Sequence, residues 1–307
     1  QPTISYKFND MLSVGVGPTV SYLDGTLSSN SLAPDVLNNP NELVDVLYTA
    51  KGNDTAVGAN VGVLFQPYEN TTFGLTYRSE TRFKLSGDAK VEGHPLDNAQ
   101  GQATIDQINQ GFGLSLNPKY KGSAKLNFTA PESIDLSFTH KFDDQWTLYA
   151  GAVWTRWSRL DTISIDDNLS IPVTVPGQQI PNLTDVDPTE EVKFKDTWAY
   201  SIGGSYQVNP EWVLRAGFAL DTSAASTENR SVRTPIAERK AITIGAGWNA
   251  TPNLTIDAAY GYLWESTARV RQGDKDAFTK TGAPRPGFSG DFKNKIHGLS
   301  GQVTYRF

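Results

Sequence analysis

Apolar and polar residues alternate with a period of two along most of the chain. Between 242 and 249, apolar side chains at even positions alternate with small or polar ones at odd positions. The same period recurs in 146–154, 212–221 and 254–262. Successive side chains of a strand point to opposite faces, so each segment predicts a strand with one apolar face.

The connections between these strands alternate in length. Short turns rich in Asn, Asp and Pro lie at 9–10, 67–70, 143–145, 209–211 and 251–253. Longer polar connections lie between them at about 29–54, 93–123, 166–193, 222–238 and 272–293. A membrane barrel places tight turns on the periplasmic side and long loops outside. A soluble sandwich, which also has amphipathic strands, has no reason to place every short turn at one end.

Aromatic residues mark both ends of the predicted strands. Trp146 and Trp212 follow short turns, whereas Tyr77, Trp154 and Trp264 lie at the far ends. Two such bands are typical of the interfacial girdles of membrane proteins. We therefore predict an all-β fold, a transmembrane antiparallel outer-membrane β-barrel with short periplasmic turns and long extracellular loops. It should form a single domain over 1–307.

Hydropathy and composition agree with this interpretation. The mean hydropathy is −0.39, and no apolar run approaches the roughly 20 residues that a membrane helix needs. The absence of Cys excludes disulfides and thiolate chemistry, and a net charge of −6 argues against nucleic acid as a partner. None of the three His residues has a clear catalytic partner, and no spacing matches a metal or nucleotide motif. We expect no enzyme activity, cofactor or metal.

The number of strands bears on how such a barrel closes. The pattern gives about eleven strands, near 3–8, 12–28, 55–67, 71–91, 124–142, 146–165, 194–208, 212–222, 239–250, 254–271 and 295–307. Single-chain bacterial barrels have even strand numbers, and an open sheet edge is too costly in lipid. We therefore expect further strands ahead of Gln1, or a second chain that completes the barrel.

Several short motifs, in this order and spacing, resemble the outer-membrane long-chain fatty acid transporter family (FadL/TodX). They are Tyr6-Lys7-Phe8-Asn9-Asp10, Leu75-Thr76-Tyr77-Arg78-Ser79-Glu80, Pro131-Glu132, Gln145-Trp146, Trp157-Ser158, Phe194-Lys195-Asp196 and Asn229-Arg230-Ser231. The resemblance implies a 14-stranded barrel plugged by an N-terminal hatch, with ligand captured at extracellular loops, passed to an inner pocket and released sideways. The hatch and the first strands would then be missing from this chain.

Two of the long connections carry apolar residues at roughly helical spacing. In 32–47 these include Leu32, Val36, Leu37, Val46 and Leu47. In 93–116 they include Ile105, Ile108 and Phe112. An apolar stripe in a loop needs a partner. It is either a capture groove for a lipid-like ligand or a pair of stripes that pack on each other.

Charged and aromatic residues predicted to face the lumen are the other candidate ligand contacts. Arg78, Arg82 and Arg239 could bind a carboxylate bidentately, or neutralise nearby acids in the barrel wall. Trp157 is also predicted to point inward from its position in the alternation. The family's arginine near the outer end of the strand at 12–28 has no counterpart here, and its lysine before the Phe-Lys-Asp motif corresponds to Lys193 or Lys195. This departure favours a neutral hydrophobic ligand.

These observations predict a channel for hydrophobic compounds in the outer membrane of a Gram-negative bacterium. Its partners would be a hydrophobic small molecule (fatty acid, hydrocarbon or detergent) and the surrounding outer-membrane lipid and lipopolysaccharide, with the protein as a monomer. The alternatives are a hydrophilic diffusion porin and a surface barrel for adhesion or reception.

Overall fold

The computed structural model describes residues 1–35, 38–171, 183–184, 189–272 and 287–307. Its strands are β1 Ile4–Lys7, β2 Leu12–Asp35, β3 Asn39–Tyr68, β4 Thr71–Arg78, β5 Thr81–Glu92, β6 Lys121–Ala130, β7 Ser133–Lys141, β8 Trp146–Thr155, β9 Thr162–Asp167, β10 Ser170–Ile171, β11 Leu183–Thr184, β12 Thr189–Glu191, β13 Thr197–Gln207, β14 Trp212–Asp221, β15 Arg239–Thr251, β16 Leu254–Glu265, β17 Ala268–Gln272, β18 Phe288–Phe292 and β19 Lys295–Tyr305. Helix α1 spans Ala99–Phe112, and a 3-10 turn spans Trp157–Arg159.

Eleven strands form one antiparallel sheet at the level of the tight turns. Their order is β1, β2, β3, β4, β7, β8, β13, β14, β15, β16 and β19. Every neighbouring pair is antiparallel, so the predicted fold class and the eleven chain crossings are confirmed within the described residues. Among these residues, no helix combines the length and apolar character needed to cross a membrane.

Three of the tight turns share one hydrogen-bond arrangement. Asn9 Oδ1 accepts from the N–H groups of the second and third residues after it, both at 2.9 Å. Asp143 and Asn209 do the same in two other turns. An Asx side chain that takes up these donors fixes the turn without long-range help. These three connections are therefore short because of their own sequence.

Cross-strand register arranges the aromatic residues in two bands. On the side away from the tight turns, Ile134 pairs with Tyr77 on one neighbouring strand and with Trp154 on the other. Trp154 in turn pairs with Trp198, so the three aromatic residues lie in one cross-strand row. On the tight-turn side, ring contacts join Phe65 to Phe73, Phe73 to Phe138, Trp146 to Tyr206 and Trp212 to Trp248. The strands between the bands carry exposed apolar side chains on one face, including Leu214, Ile244 and Val303. We call this the outward face.

The opposite, inner face of the sheet is concave. Arg233, in the connection after β14, donates from Nη2 to Ser29 Oγ on β2 at 3.2 Å. Ser29 lies on the inner face of β2, and the two residues are 204 positions apart in the chain. The connection after β14 therefore reaches across to β2 on this side.

On the side away from the tight turns, the wall continues as a second level. Here β3 pairs with β5 instead of β4, and β5, β6, β9 and β12 follow in order. We call β5, β6, β9 and β12, with positions 23–30 of β2 and 45–54 of β3, the outer sheet. The predicted polar connection at 29–54 and the helical spacing at 32–47 are wrong. A β-hairpin formed by β2 and β3 occupies these positions.

Four strands predicted to be continuous are interrupted. The predicted strand 254–271 breaks at Ser266–Thr267, and the other three breaks lie at the boundary between the two levels. The predicted strand 71–91 breaks at Ser79–Glu80, 124–142 breaks at Pro131–Glu132, and 146–165 breaks at 156–161. Pro131 cannot donate to a sheet ladder, which explains the break at Pro131–Glu132.

The break at Ser79–Glu80 changes the register against β3. Asn60 pairs with Arg78, and Asn53 pairs with Ser86. Seven residues along β3 are therefore matched by eight residues along the segment that contains β4 and β5. One extra residue reverses which side chains face inward. The inner face thus carries even-numbered residues in β4 and odd-numbered residues in β5.

Candidate functional site

The inner face of the outer sheet is apolar. Register places alternate residues of five strands on this face. Its large side chains are Leu23, Leu27, Tyr48, Phe83, Leu85, Leu126, Phe128 and Ile165. Several of them are nearly buried, whereas residues on the outward face of the same strands are exposed. The candidate site is this surface, which we call the apolar patch.

Small residues leave a cavity beside the apolar patch. Gly52 on β3 pairs with Gly87 on β5, and Ala50 pairs with Ala89. A Cβ on Gly87 would come closer than 3.0 Å to the Lys51 backbone, so this position requires glycine. The cavity measures about 290 Å³, and its apolar lining includes Leu23, Leu27, Leu85, Leu126, Phe128 and Ile165.

Helix α1 occupies the long connection between β5 and β6. Asn98 caps its N-terminus by accepting from the Gly101 N–H, and Gly113 ends it in a left-handed conformation with φ 63°. The apolar residues at helical spacing in 93–116 thus lie partly on a helix. Ile105 is buried, Ile108 is half-buried, and Phe112 is 77% exposed at the end of the helix.

A charged cluster lies where the strands break below the apolar patch. Glu132 accepts hydrogen bonds from Arg156 Nη1 at 3.0 Å and from Arg159 Nε and Nη2 at 3.0 and 2.9 Å. Arg159 also pairs with Glu80 at 2.8 Å. We call Glu80, Arg82, Glu132, Arg156 and Arg159 the junction cluster. Because it bridges three interrupted chains, it fixes the outer sheet on the strands below.

The pKa of Glu132 reflects these contacts. Its carboxylate is almost fully buried, but the hydrogen bonds from Arg159 outweigh the desolvation and lower its pKa to about 2. The carboxylate therefore stays charged across the physiological range. The junction cluster is a permanent structural connection.

Arg78 differs from the other inner-face cations. Its Nε donates to Asn60 Oδ1 at 3.3 Å, and it forms no ion pair with a described residue. It borders a second cavity of about 340 Å³ that also contacts Thr19, Ser21, Gly58, Ser79 and Phe83. Phe83 belongs to the apolar patch as well, so this second cavity borders the patch. Arg78 therefore presents free donors at the lower end of an apolar surface.

Below this level the inner face carries mostly small or polar residues, and its described arginines Arg215 and Arg239 are paired. Arg215 bonds Asp257 at 2.8 Å, and Arg239 is paired with Asp221. A Cβ on Gly247 would collide with the Arg215–Asp257 pair, so glycine provides the space for it. Arg239 is therefore neutralised within the wall, as one of the two sequence interpretations held.

The structure separates the other predicted loop residues. Val46 lies in the core of the apolar patch, whereas Leu47 points outward and is 38% exposed. Leu32 is a strand residue that pairs with Asp45. Val36 and Leu37 lie outside the described residues. The 32–47 residues are thus not one stripe, because a strand divides neighbouring positions between two faces.

The remaining predicted residues lie around the junction. Arg82 is on the outward face, opposite to Arg78, because of the extra residue at the break. Trp157 is in the 3-10 turn rather than a strand, and its ring contacts Phe194 edge-on at 6.2 Å. Lys193 pairs with Glu191 at 2.6 Å, and Lys195 is exposed. Parity alone could not place these residues.

Sequence reasoning missed the apolar patch itself. Its signal was present in the alternation at 83–91 and 124–130, where apolar or small residues occupy every second position. The same alternation that predicts these strands also predicts an apolar inner side above the membrane band. Glu132 was noted only as part of a motif.

An antiparallel sheet with two aromatic bands, an apolar outward face and a concave inner face defines an outer-membrane β-barrel protein. The chain belongs to the family of outer membrane protein transport proteins (OMPP1/FadL/TodX), whose family model matches residues 1–307. The predicted family and the outer-membrane location are thereby confirmed.

Two relatives match most of this chain. The chain is 24% identical over 289 residues to the long-chain fatty acid transport protein of Escherichia coli O6:H1 (strain CFT073), covering 88% of this chain and 59% of the relative. It is 26% identical over 304 residues to outer membrane protein P1 of Haemophilus influenzae, covering 90% and 58%. The chain thus spans less than two thirds of these relatives.

Solved structures show the same fold. A Pseudomonas aeruginosa FadL homologue superimposes with a TM-score of 0.73 at 24% identity, covering 99% of this chain and 66% of that one. The Pseudomonas putida toluene transporter TodX gives a TM-score of 0.56 at 16% identity, with 98% and 67% covered. Identities this low support the fold alone.

Proposed function

We propose that this chain belongs to an outer-membrane channel that takes up hydrophobic small molecules, and that the apolar patch receives them. The observation that carries the proposal is an apolar surface with a cavity of about 290 Å³ on the inner face, above a polar lower wall. Relatives are named as transporters of long-chain fatty acids and of toluene. Both ligands are largely apolar.

Removal of apolar surface from water would supply the affinity. At about 25 cal/mol per Å², a ligand that buries roughly 200 Å² on the patch gains about 5 kcal/mol before its entropic cost. No metal or cofactor is needed for such binding. Transport is then passive and follows the ligand gradient.

Helix α1 and the β2–β3 hairpin would make the first contact with ligand. Phe112 is largely exposed at the end of the helix, while Ile105 and Ile108 anchor its other turns. An exposed aromatic ring on an otherwise polar surface is suited to capturing an apolar molecule. From there the ligand would pass along the inner face to the patch, beside Val46 and Leu85.

Arg78 would hold the polar end of a ligand that has one. Its terminal donors have no partner among the described residues at the lower boundary of the patch, whereas Arg215 and Arg239 are already neutralised. A guanidinium binds a carboxylate in a bidentate manner. Arg78 therefore makes a carboxylate ligand as plausible as a neutral one, although the arginine expected from the family resemblance is absent.

Ligand binding to the full-length protein in detergent-free nanodiscs tests both parts. Leu126→Asp places a charge in the apolar patch and should weaken binding of a long-chain fatty acid and of its alcohol alike, by roughly tenfold or more. Arg78→Met should weaken binding of the acid but leave the alcohol unchanged.

Neighbouring positions provide the controls. Asn127→Asp changes the next residue on β6, which faces outward, and should bind both ligands like the wild type. Wild-type protein that binds neither ligand would refute the channel proposal. An Arg78→Met variant that retains its affinity for the acid would refute only the role of Arg78.

A further inference from the structure

The connection between β14 and β15 crosses the concave inner face of the wall. It spans 222–238 and lies outside the helices and strands. Arg233 on this connection contacts Ser29 on β2, although β3, β4, β7, β8 and β13 lie between β2 and β14 in the order of the sheet. A segment that leaves β14 and touches the inner face of β2 must therefore pass over the concavity. We call residues 222–238 the strap.

The middle of the strap is fixed by a buried arginine. Arg230 is only 6% exposed, and its guanidinium donates to three backbone carbonyls. These are the carbonyls of Ala225 at 3.1 Å, Ile236 at 2.7 Å and Arg269 at 3.0 Å. Ala225 and Ile236 lie on the two arms of the strap, whereas Arg269 belongs to β17. The guanidinium thus joins both arms to each other and to a neighbouring strand.

Both ends of the strap are also attached to the chain beside it. The Lys195 N–H donates to the Ala224 carbonyl at 2.9 Å, and the Ser266 N–H donates to the Glu238 carbonyl at 2.8 Å. Ala224 is buried, as is Ala237 at the other end. The base of the strap is therefore held firmly to the wall on the β14 side.

The tip of the strap is instead open to solvent. Val232 and Arg233 are both exposed. Across the concavity, Arg233 Nη2 donates to Ser29 Oγ at 3.2 Å, in a hydrogen bond that solvent reaches. Such a bond contributes little net stability, because water competes for both groups. The tip can therefore leave Ser29 while the base stays in place.

Ser29 lies at the outer end of the apolar patch. It is the next inner-face residue of β2 after Leu27, roughly 7 Å further from the tight turns. It also pairs with Tyr48 on β3. Leu27 and Tyr48 both belong to the apolar patch. The tip of the strap thus lies where a ligand from outside would reach the patch, at the opposite end from Arg78.

We propose that the strap controls access to the apolar patch, and that its tip moves off Ser29 to admit ligand. This inference rests on the proposed uptake of hydrophobic molecules and adds the step at which the patch opens. Segments that close over a ligand site set the rates of entry and release. A strap of this kind changes both rates in the same direction, so the equilibrium affinity changes much less.

A reversible crosslink across the concavity tests the proposal. The chain contains no Cys, so Ser29→Cys and Arg233→Cys together introduce one pair of thiols into it. A cleavable bis-maleimide should join them in the full-length protein in nanodiscs. The crosslink should slow both association and dissociation of a long-chain fatty alcohol by roughly tenfold or more, and its cleavage should restore both rates.

A second pair of thiols provides the matched control. Lys7→Cys with Asp10→Cys places the same chemistry beside a tight turn, where the two native side chains pair at 2.7 Å. Its crosslink should leave both rates unchanged. Treatment of the Ser29→Cys and Arg233→Cys single variants measures the effect of the reagent alone, and neither should exchange alcohol more slowly.

The outcomes separate the strap from the channel. Crosslink yield requires no ligand, so a Ser29→Cys, Arg233→Cys protein that does not crosslink would overturn the strap geometry by itself. A crosslinked protein that exchanges alcohol as fast as the uncrosslinked one would overturn the proposed control of access, as would equal slowing in a singly modified variant. Wild-type protein that binds no alcohol would refute the channel proposal and the strap proposal together.

Discussion

At the scale of single residues, charges on the inner side of the wall are arranged in two ways. Arg215 and Arg239 each face a carboxylate, and Glu132 receives three hydrogen bonds from guanidinium groups. Within the described part of the chain, Arg78 contacts only an amide oxygen, that of Asn60. Paired charges stabilise the wall, because an unpaired buried charge is costly. An unpaired, accessible charge is instead available to a ligand.

Glu132→Gln should destabilise the protein by about 2 kcal/mol at pH 7, because the two arginines lose their shared carboxylate. The arginines are about half exposed, so water screens part of the loss. The pKa of Glu132 lies below its unfolded value of 4.5, so its contribution is full above that pH and disappears as pH falls towards 2. Urea unfolding in micelles between pH 7 and pH 3 should show the two proteins converging.

The comparison for this measurement is Asp144→Asn. Asp144 also accepts from a basic residue, Lys141 at 2.8 Å, but it is fully exposed. Its replacement should leave the unfolding free energy unchanged at every pH. A Glu132→Gln protein as stable as the wild type at pH 7 would contradict the role given to the junction cluster.

At the scale of elements, helix α1 contains glycines with opposite roles. A Cβ on Gly101 would come closer than 3.0 Å to the backbone of Leu96, whereas a Cβ on Gly111 would meet nothing within 4 Å. The first glycine lets the helix approach the turn that precedes it. The second only adds flexibility to the unfolded chain and weakens the helix.

Gly101→Ala should therefore separate the helix from its turn and cost roughly 2 kcal/mol of local stability. Gly111→Ala should stabilise the helix by about 1 kcal/mol. Amide hydrogen exchange over 93–116 measures both, with faster exchange expected in the first variant and slower in the second. If Gly101→Ala exchanged as slowly as the wild type, the close packing would be disproved.

Some elements could be predicted from the sequence and others could not. The strands and short turns were predictable, because period two and Asx turns are local signals. The breaks at Ser79–Glu80 and Pro131–Glu132 were not, since the apolar alternation keeps the same parity across each break while the face on which the apolar residues lie changes. Arg82 was consequently assigned to the wrong face. The β2–β3 hairpin was missed because its apolar residues also fit a helical spacing.

At the scale of the whole molecule, two levels of sheet meet different surroundings. The lower strands expose apolar side chains outward, as lipid requires, and keep small polar ones inward. The outer sheet reverses this order, with apolar residues inward and charged residues outward. The interactions on either side of the wall therefore change at the level of the junction cluster.

Adjacent residues of β15 test the lower level. Ile244 lies near the middle of the strand on the outward face and is 61% exposed, while Thr243 faces inward. Ile244→Arg should cost about 2–4 kcal/mol in a bilayer, because a charge is placed in hydrocarbon. Thr243→Arg should cost clearly less. Unfolding of the full-length protein in lipid vesicles compares the two, and equal losses would contradict the assigned orientation.

The extra residue at Ser79–Glu80 makes the outer sheet sensitive to a small genetic change. Deleting one codon there would shift the following strand by one residue, so that its side chains exchange faces. Phe83 and Leu85 would then contact the medium, and Lys84 would enter the cavity. Substitutions in this stretch should thus be tolerated far better than frame-preserving deletions, a bias that a library of single-codon deletions through 76–86 would reveal.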